Sequence, residues 1–133
     1  MDVIGHKALW VSPLDGGKPE RVFEFDDPDV RIDYPVWSPD SKTIAFNSDR
    51  TGEMNIWLHS IESAQTRQLT KGSGGDFQAN WSPDGKRIAF FSSRAGTADI
   101  WCVEVESGEL KRLTKSDSVD VNPFFSPDGK MIA

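Results

Sequence analysis

In the stretch "WSPDGKRIAFFSSR" (81–94), Ser82 and Asp84 stand two positions apart, with Lys86, Arg87 and Arg94 close behind. A hydroxyl, a carboxylate and an amine at such spacing are the raw materials of nucleophilic catalysis, which also needs a base to activate the hydroxyl. The base is not supplied. His6 and His59, the two histidines, lie in unrelated contexts, and no G-x-S-x-G elbow occurs. A tight turn accounts for the same residues: Pro83 sets φ at the second position, Asp84 accepts from a backbone N–H two residues on, and Gly85 takes a positive φ. The arrangement recurs at Ser38, Pro39 and Asp40, and again at Ser126, Pro127, Asp128 and Gly129. A scaffold turn occurs many times; an active site usually occurs once. No catalytic residue and no enzymatic activity are expected of these residues.

The second chemically suggestive segment, "FEFDDPDVRIDYP" (23–35), holds Asp26, Asp27, Asp29 and Asp33 beside Arg31 and Tyr34. Clustered carboxylates suit a hard cation, but the spacing matches no calcium-loop motif. No cofactor and no metal site are assigned, with a divalent cation at this acidic segment as the alternative to solvated charge or contact with a partner.

These groups must be held by a chain of 133 residues, 37% hydrophobic and 27% charged, a usual length for one compact domain. A net charge of −6, with lysines and arginines scattered singly, argues against nucleic acid as a partner. No run approaches the length of a membrane helix, so no membrane insertion is expected, and "MDVIGHKALW" does not read as a signal peptide. Cys102, the single cysteine, lies among apolar residues and reads as a core filler.

What organises the chain is a repeat. "WSPDSKTIAF" begins at Trp37, "WSPDGKRIAF" at Trp81 and "FSPDGKMIA" at Phe125, each 44 residues after the last, and residues 33–76 and 77–120 are identical at 19 of 44 positions. One unit holds four short runs rich in β-branched and aromatic residues: 77–81, 87–92, 99–105 and 110–114. Turn residues separate them, and none shows a helical period. Four antiparallel strands in a unit of this length predict an all-β chain of β-propeller blades. With strands lettered A to D from the inside outward, the order is CD, ABCD, ABCD, AB. The partial blades cover 5–25 and 121–133, and the full blades 33–70 and 77–114. Trp10, Trp37, Trp57, Trp81, Trp101 and Phe125 are expected to wedge between blades as core. Arg50 and Arg94, repeated in the B–C connections near Asn55 and Asp99, are expected to form ion pairs or hydrogen bonds within or between blades.

The repeats resemble those of TolB-like propellers, a WD-like class with the motif [WF]-S-P-D-G-K-x-I-A-F…S-x-R-x-G-x-x-[DN]-I-W…L-T, from about Gly5 to Ala133. Ser41 departs from it in place of the turn glycine, and Phe125 in place of tryptophan. The resemblance implies a six-bladed ring and favours a periplasmic or other extracytoplasmic setting. Twelve strands make three blades' worth, too few to close a ring, so a homodimer completing six blades is expected.

On that architecture the acidic segment feeds an innermost strand at the channel rim. Asp76 and Asp120 occupy matching connections, while Gln78, Asn80 and Asn122 lie on the inner strands and face the channel. The function expected is a non-catalytic scaffold that binds a protein or peptide through rim loops and channel. The alternatives are the propeller portion of a larger peptidase, hydrolase or polysaccharide-degrading enzyme, and a propeller fragment with no independent function.

Overall fold

The computed structural model describes residues 8–25, 27 and 29–133, and over these the chain is built of β-strands joined by turns. A two-stranded sheet pairs β1 (Ala8–Val11) with β2 (Glu20–Glu24). Two four-stranded antiparallel sheets follow. The first runs in the order β3 (Ile32–Trp37), β4 (Thr43–Ser48), β5 (Asn55–Ser60), β6 (Thr66–Gln68). The second, β7 (Asp76–Trp81), β8 (Arg87–Ser92), β9 (Asp99–Glu104), β10 (Leu110–Arg112), repeats that order. β7 is the strand that packs against β3, β4 and β5 of the preceding sheet. The order of strands and this side-by-side packing are those of successive propeller blades.

Local chemistry explains why each strand stops where it does. In all three turns the serine hydroxyl accepts from the backbone five residues on: Thr43 N to Ser38 Oγ at 3.0 Å, Arg87 N to Ser82 Oγ at 2.9 Å, Met131 N to Ser126 Oγ at 3.0 Å. The same hydroxyl donates to the aspartate two residues on, at 2.6, 2.5 and 2.6 Å. Each aspartate also accepts a backbone N–H, from Lys42, Lys86 and Lys130. These hydrogen bonds, the serine's foremost, hold the carboxyls of Asp40, Asp84 and Asp128 below the usual range. The fourth turn residue is left-handed in every copy: Ser41 at φ 59°, Gly85 at 70° and Gly129 at 69°. Only Ser41 meets a steric cost there. Ser41→Gly is therefore expected to stabilise the fold by about 0.5–1 kcal/mol, read as a raised Tm by circular dichroism.

At the far edge of each sheet the "LT" pair takes over from the ladder. Leu69 N and Leu113 N each donate at 2.8 Å to the carbonyls of Ile56 and Ile100. Thr70 and Thr114 then accept the N–H of those same isoleucines through Oγ1 at 2.9 Å. The D strands are accordingly shorter than the sequence runs suggested, β10 ending at Arg112 rather than 114.

The core lies between sheets. Ala45, Ile56, Leu58 and Leu69 of the first sheet close on Ala79, Trp81, Ile88, Phe90 and Val103 of the second. A second cluster, Phe25, Val30, Phe46 and Trp57, with Phe23 of β2 packed against it, lies on the other face of the first sheet. Phe46 and Phe90, a repeat apart, are both fully buried. In this layered arrangement each blade presents one face to its predecessor and the opposite face to its successor.

In residues 121–133 the A–B pairing is present as an antiparallel bridge from Phe125 to Ile132, flanked by hydrogen bonds that Phe124 and Ala133 exchange at 3.1 and 3.0 Å. The expected core needs one correction. Of the aromatic wedges, Trp57 and Trp81 are buried at 7% and 8% exposure, and Trp101 and Phe125 are half-buried, but Trp10 and Trp37 are 57% and 47% exposed. Trp81 is covered because the first sheet lies beside it, and its Nε1 donates to Val36 O at 3.3 Å. Trp37 would need an inner strand in the blade before it, where the described residues provide only β1 and β2. Trp10 faces outward for the same reason: the described residues provide no blade before its own.

Candidate functional site

The inner strands carry an irregularity that repeats with the sequence. The register of β3 against β4 shifts between Asp33 and Val36, and that of β7 against β8 between Phe77 and Asn80. At each shift one residue turns left-handed: Tyr34 at φ 52° and Gln78 at φ 55°, with Asn122 at φ 57° in the third copy. Bulges of this kind re-aim side chains. Here they bring the three residues, 44 positions apart in sequence, to one inner wall. They border a cavity of about 280 Å³ also lined by Val36, Asn80 and Phe124. Gln78 Oε1 accepts from Asn122 N at 3.2 Å, and Asn80 Oδ1 from Phe125 N at 3.4 Å, so neighbouring copies are tied to each other along the wall. Tyr34 and Phe124 are more than half exposed. The wall thus offers amide groups flanked by two open aromatic rings.

The carboxylates expected at the rim do not gather with these residues. Asp27 caps its own turn, its Oδ1 accepting from Asp29 N at 2.9 Å. Arg31 is held by Asp49: its Nε meets Oδ2 at 2.8 Å and its backbone N donates to Oδ1 at 2.7 Å. Burial works to raise the Asp49 carboxyl, but the hydrogen bonds from Arg31, its backbone N–H first, and then its charge hold it below the usual range, while the side-chain bond to Asp49 raises Arg31. Asp33 lies half-buried on β3. Asp120 accepts from Ser116 Oγ at 3.1 Å and donates its backbone N to Ala98 O at 2.8 Å. Asp26 lies outside the described residues. Among the described residues, no three His, Cys, Asp or Glu side chains come together as a metal-holding group.

Asp76 departs furthest from the rim reading. Its side chain is 1% exposed, and both oxygens meet Arg94 Nη2 at 2.6 Å. The Arg94 guanidinium also lies 5.6 Å from the Phe90 ring centre and 5.3 Å from that of Trp101. The expected ion pair of Arg94 exists, but its partner is Asp76. Asp99 is instead held by Arg112 at 2.6 Å and by Thr97 Oγ1 at 3.0 Å. Position 32 is Ile32, so Arg50 has no equivalent carboxylate and stacks over Phe25 at 4.7 Å and Trp57 at 5.8 Å.

Residues 4–133 match the family model described as the TolB beta propeller domain. The chain belongs to the TolB β-propeller family. Among solved structures, this TolB-type propeller is similar to TolB from Acinetobacter baumannii, with a TM-score of 0.83 and 30% identity, over 94% of this chain and 31% of that one. A putative TolB from Agrobacterium tumefaciens gives a TM-score of 0.80 and 32% identity, over 94% of this chain and 44% of that one. A Porphyromonas gingivalis protein, dipeptidyl-peptidase 5, is 35% identical over 66 residues, 50% of this chain and 9% of that protein. The chain spans less than half the length of each. The TolB-type motif explains the turns, strands and buried aromatics. Reasoning from sequence missed Val36 and Phe124 as parts of the wall: both read as ordinary strand residues, and only the bulge exposes their role.

Proposed function

We propose that this chain is a non-catalytic propeller scaffold that recognises an extended polypeptide segment at its inner wall. The reading is carried by the row Tyr34, Gln78 and Asn122, three non-glycine residues in left-handed backbone at one position of successive repeats. Residues held in such conformations persist only where the surrounding structure enforces them, and they cluster at functional sites. Rigid strands supply that enforcement. Amides flanked by exposed aromatic rings suit a peptide, whose backbone needs hydrogen bonds and whose side chains offer apolar area.

Several further parts of the reading go with it. The open faces at Trp37 and beyond β10 are closed by a second copy of the chain into a six-bladed ring. An extracytoplasmic setting follows from the likeness to the TolB proteins. Nucleic acid is not a partner of so acidic a chain, and no helix among the described residues is long and apolar enough to cross a membrane.

The test is a peptide selected from a random library on the immobilised chain. Tyr34→Ala combined with Asn122→Ala is expected to weaken its binding by about tenfold or more, while Ser116→Ala, away from the wall, leaves it unchanged. Equal affinity for both variants overturns the reading. A second reading, that the chain is the propeller portion of a longer hydrolase, is favoured by the likeness to dipeptidyl-peptidase 5. Under it the catalytic groups lie outside these residues, and the wall filters or positions a peptide substrate.

A further inference from the structure

The end of the propeller that carries the Ser-Pro-Asp turns is opposite the rim loops, and there the two blade boundaries differ in an informative way. At the boundary between the second sheet and the last hairpin, Arg87 opens β8 and reaches across. Its guanidinium carbon lies 5.6 Å from the Phe125 ring centre, and its Nη2 donates to Gly129 O at 3.3 Å. The charge of Arg87 is felt by the Asp84 carboxyl, though less than the hydrogen bonds from Ser82 and Lys86. A guanidinium thus occupies a notch made of an aromatic face, a turn carbonyl and a nearby carboxylate. The cavity that remains is about 390 Å³.

The boundary between the two full sheets has the same notch built from the preceding repeat. Trp81 stands for Phe125, Gly85 for Gly129 and Asp40 for Asp84, but Thr43 stands for Arg87. All four line one cavity of about 640 Å³, open to solvent and rimmed by Ser60 and Gln65. Arg67 also lines it, with Nη2 donating to Val105 O at 2.8 Å. Its repeat counterpart Lys111 lines the other notch beside Arg87, so that cation does not conflict with a guanidinium there. Tryptophan is the better cation–π partner of the two aromatic types.

We propose that the notch at Trp81, Gly85 and Asp40 binds a guanidinium group on an alkyl arm, as presented by an arginine side chain of a polypeptide partner. The molecule carries its own precedent for the complex, in Arg87 one repeat later. The excess of cavity volume over the filled notch leaves room for the chain that carries the arginine. The site lies on the opposite end from the inner-wall row and stands independently of it.

The experiment titrates the 133-residue protein with acetyl-arginine methylamide, following the Trp81 indole N–H by NMR. The expected result is a saturable shift, with the uncharged citrulline analogue about tenfold weaker or worse. T43R places a tethered guanidinium in the notch and is expected to abolish the shift while keeping or raising Tm. R87T opens the second notch, so a second set of shifts appears around Phe125 and Gly129. The proposal is overturned by no saturable shift, by equal binding of the citrulline analogue, or by undiminished binding to folded T43R. Should T43R fail to fold, R87T decides: no second set of shifts overturns it. Free arginine binding more tightly than the blocked form would overturn the polypeptide as the source.

Discussion

Trp81→Ala lowers the stability of the protein by about 3–5 kcal/mol, and the response of Trp37 to the same change reports whether the ring is closed. Trp81 is 8% exposed, packs in the cluster that joins the two full sheets and donates to Val36 O. Its loss leaves a void where one blade meets the next. Trp37 is its counterpart one repeat earlier and is 47% exposed. In a single chain Trp37→Ala costs less than about 1 kcal/mol, as surface changes usually do. In a ring closed by a second copy, Trp37 sits as Trp81 does, and its replacement costs a similar amount. The unfolding midpoint then also rises with protein concentration. Urea denaturation of both variants at two concentrations, with the mass from light scattering, separates these cases. A mass that stays at 14.8 kDa with Trp37→Ala tolerated throughout would falsify closure by a second copy.

The next largest effect is expected at Asp76. Removing one partner of a buried ion pair costs about 3–5 kcal/mol, because the other charge stays buried without compensation. The Asp76 side chain is 1% exposed and that of Arg94 13%. Asp76 is also tied through its backbone to the preceding sheet: its carbonyl accepts from Asn47 Nδ2 at 2.6 Å and its N–H donates to Met54 O at 2.8 Å. Those backbone bonds survive Asp76→Ala, so the cost expected is that of leaving the Arg94 guanidinium without its carboxylate. Arg94→Lys is expected to cost nearly as much, since an ammonium cannot keep the planar contact with Phe90 and Trp101. Asp49→Ala is the control. It breaks the Arg31 pair, in which the arginine is 57% exposed, and is expected to cost less than about 1 kcal/mol. Denaturation midpoints of the three variants check the ranking, and a mild Asp76→Ala contradicts it.

The legibility of this fold follows from the range of the interactions involved. Strands β7 and β8 occupy 76–81 and 87–92, within a residue of the runs read from composition. Their ends are set by serine, proline, aspartate and glycine acting on adjacent backbone. The 44-residue offset then carried that reading to the other copies. Partnership across a blade was less legible. Arg94 was expected near Asp99, five residues on, yet it pairs with Asp76, eighteen residues back, because antiparallel pairing sets Asp76 opposite Ser92. Burial of the tryptophans failed in a similar way: the motif repeats at Trp37 and Trp81, but cover depends on what lies next door. The wall was partly legible. Gln78, Asn80 and Asn122 follow from strand position alone, whereas Tyr34 reads from sequence as part of the acidic rim segment. The acidic residues are not on it, since Asp27 and Asp120 are absorbed by hydrogen bonds in their own loops and Asp76 by Arg94 across the sheet. Nothing in the sequence announces the left-handed backbone of Tyr34 and Gln78, since only asparagine, as at Asn122, commonly adopts it.

That row has a further meaning for how the molecule can change. A left-handed residue other than glycine costs about 1 kcal/mol or more, so glycine at 34 or 78 would make a sturdier propeller with a blank inner wall. Sturdiness and recognition therefore pull in opposite directions at these positions. The strands least comfortable in their own backbone are the ones through which this protein can acquire, or lose, a taste for a particular partner.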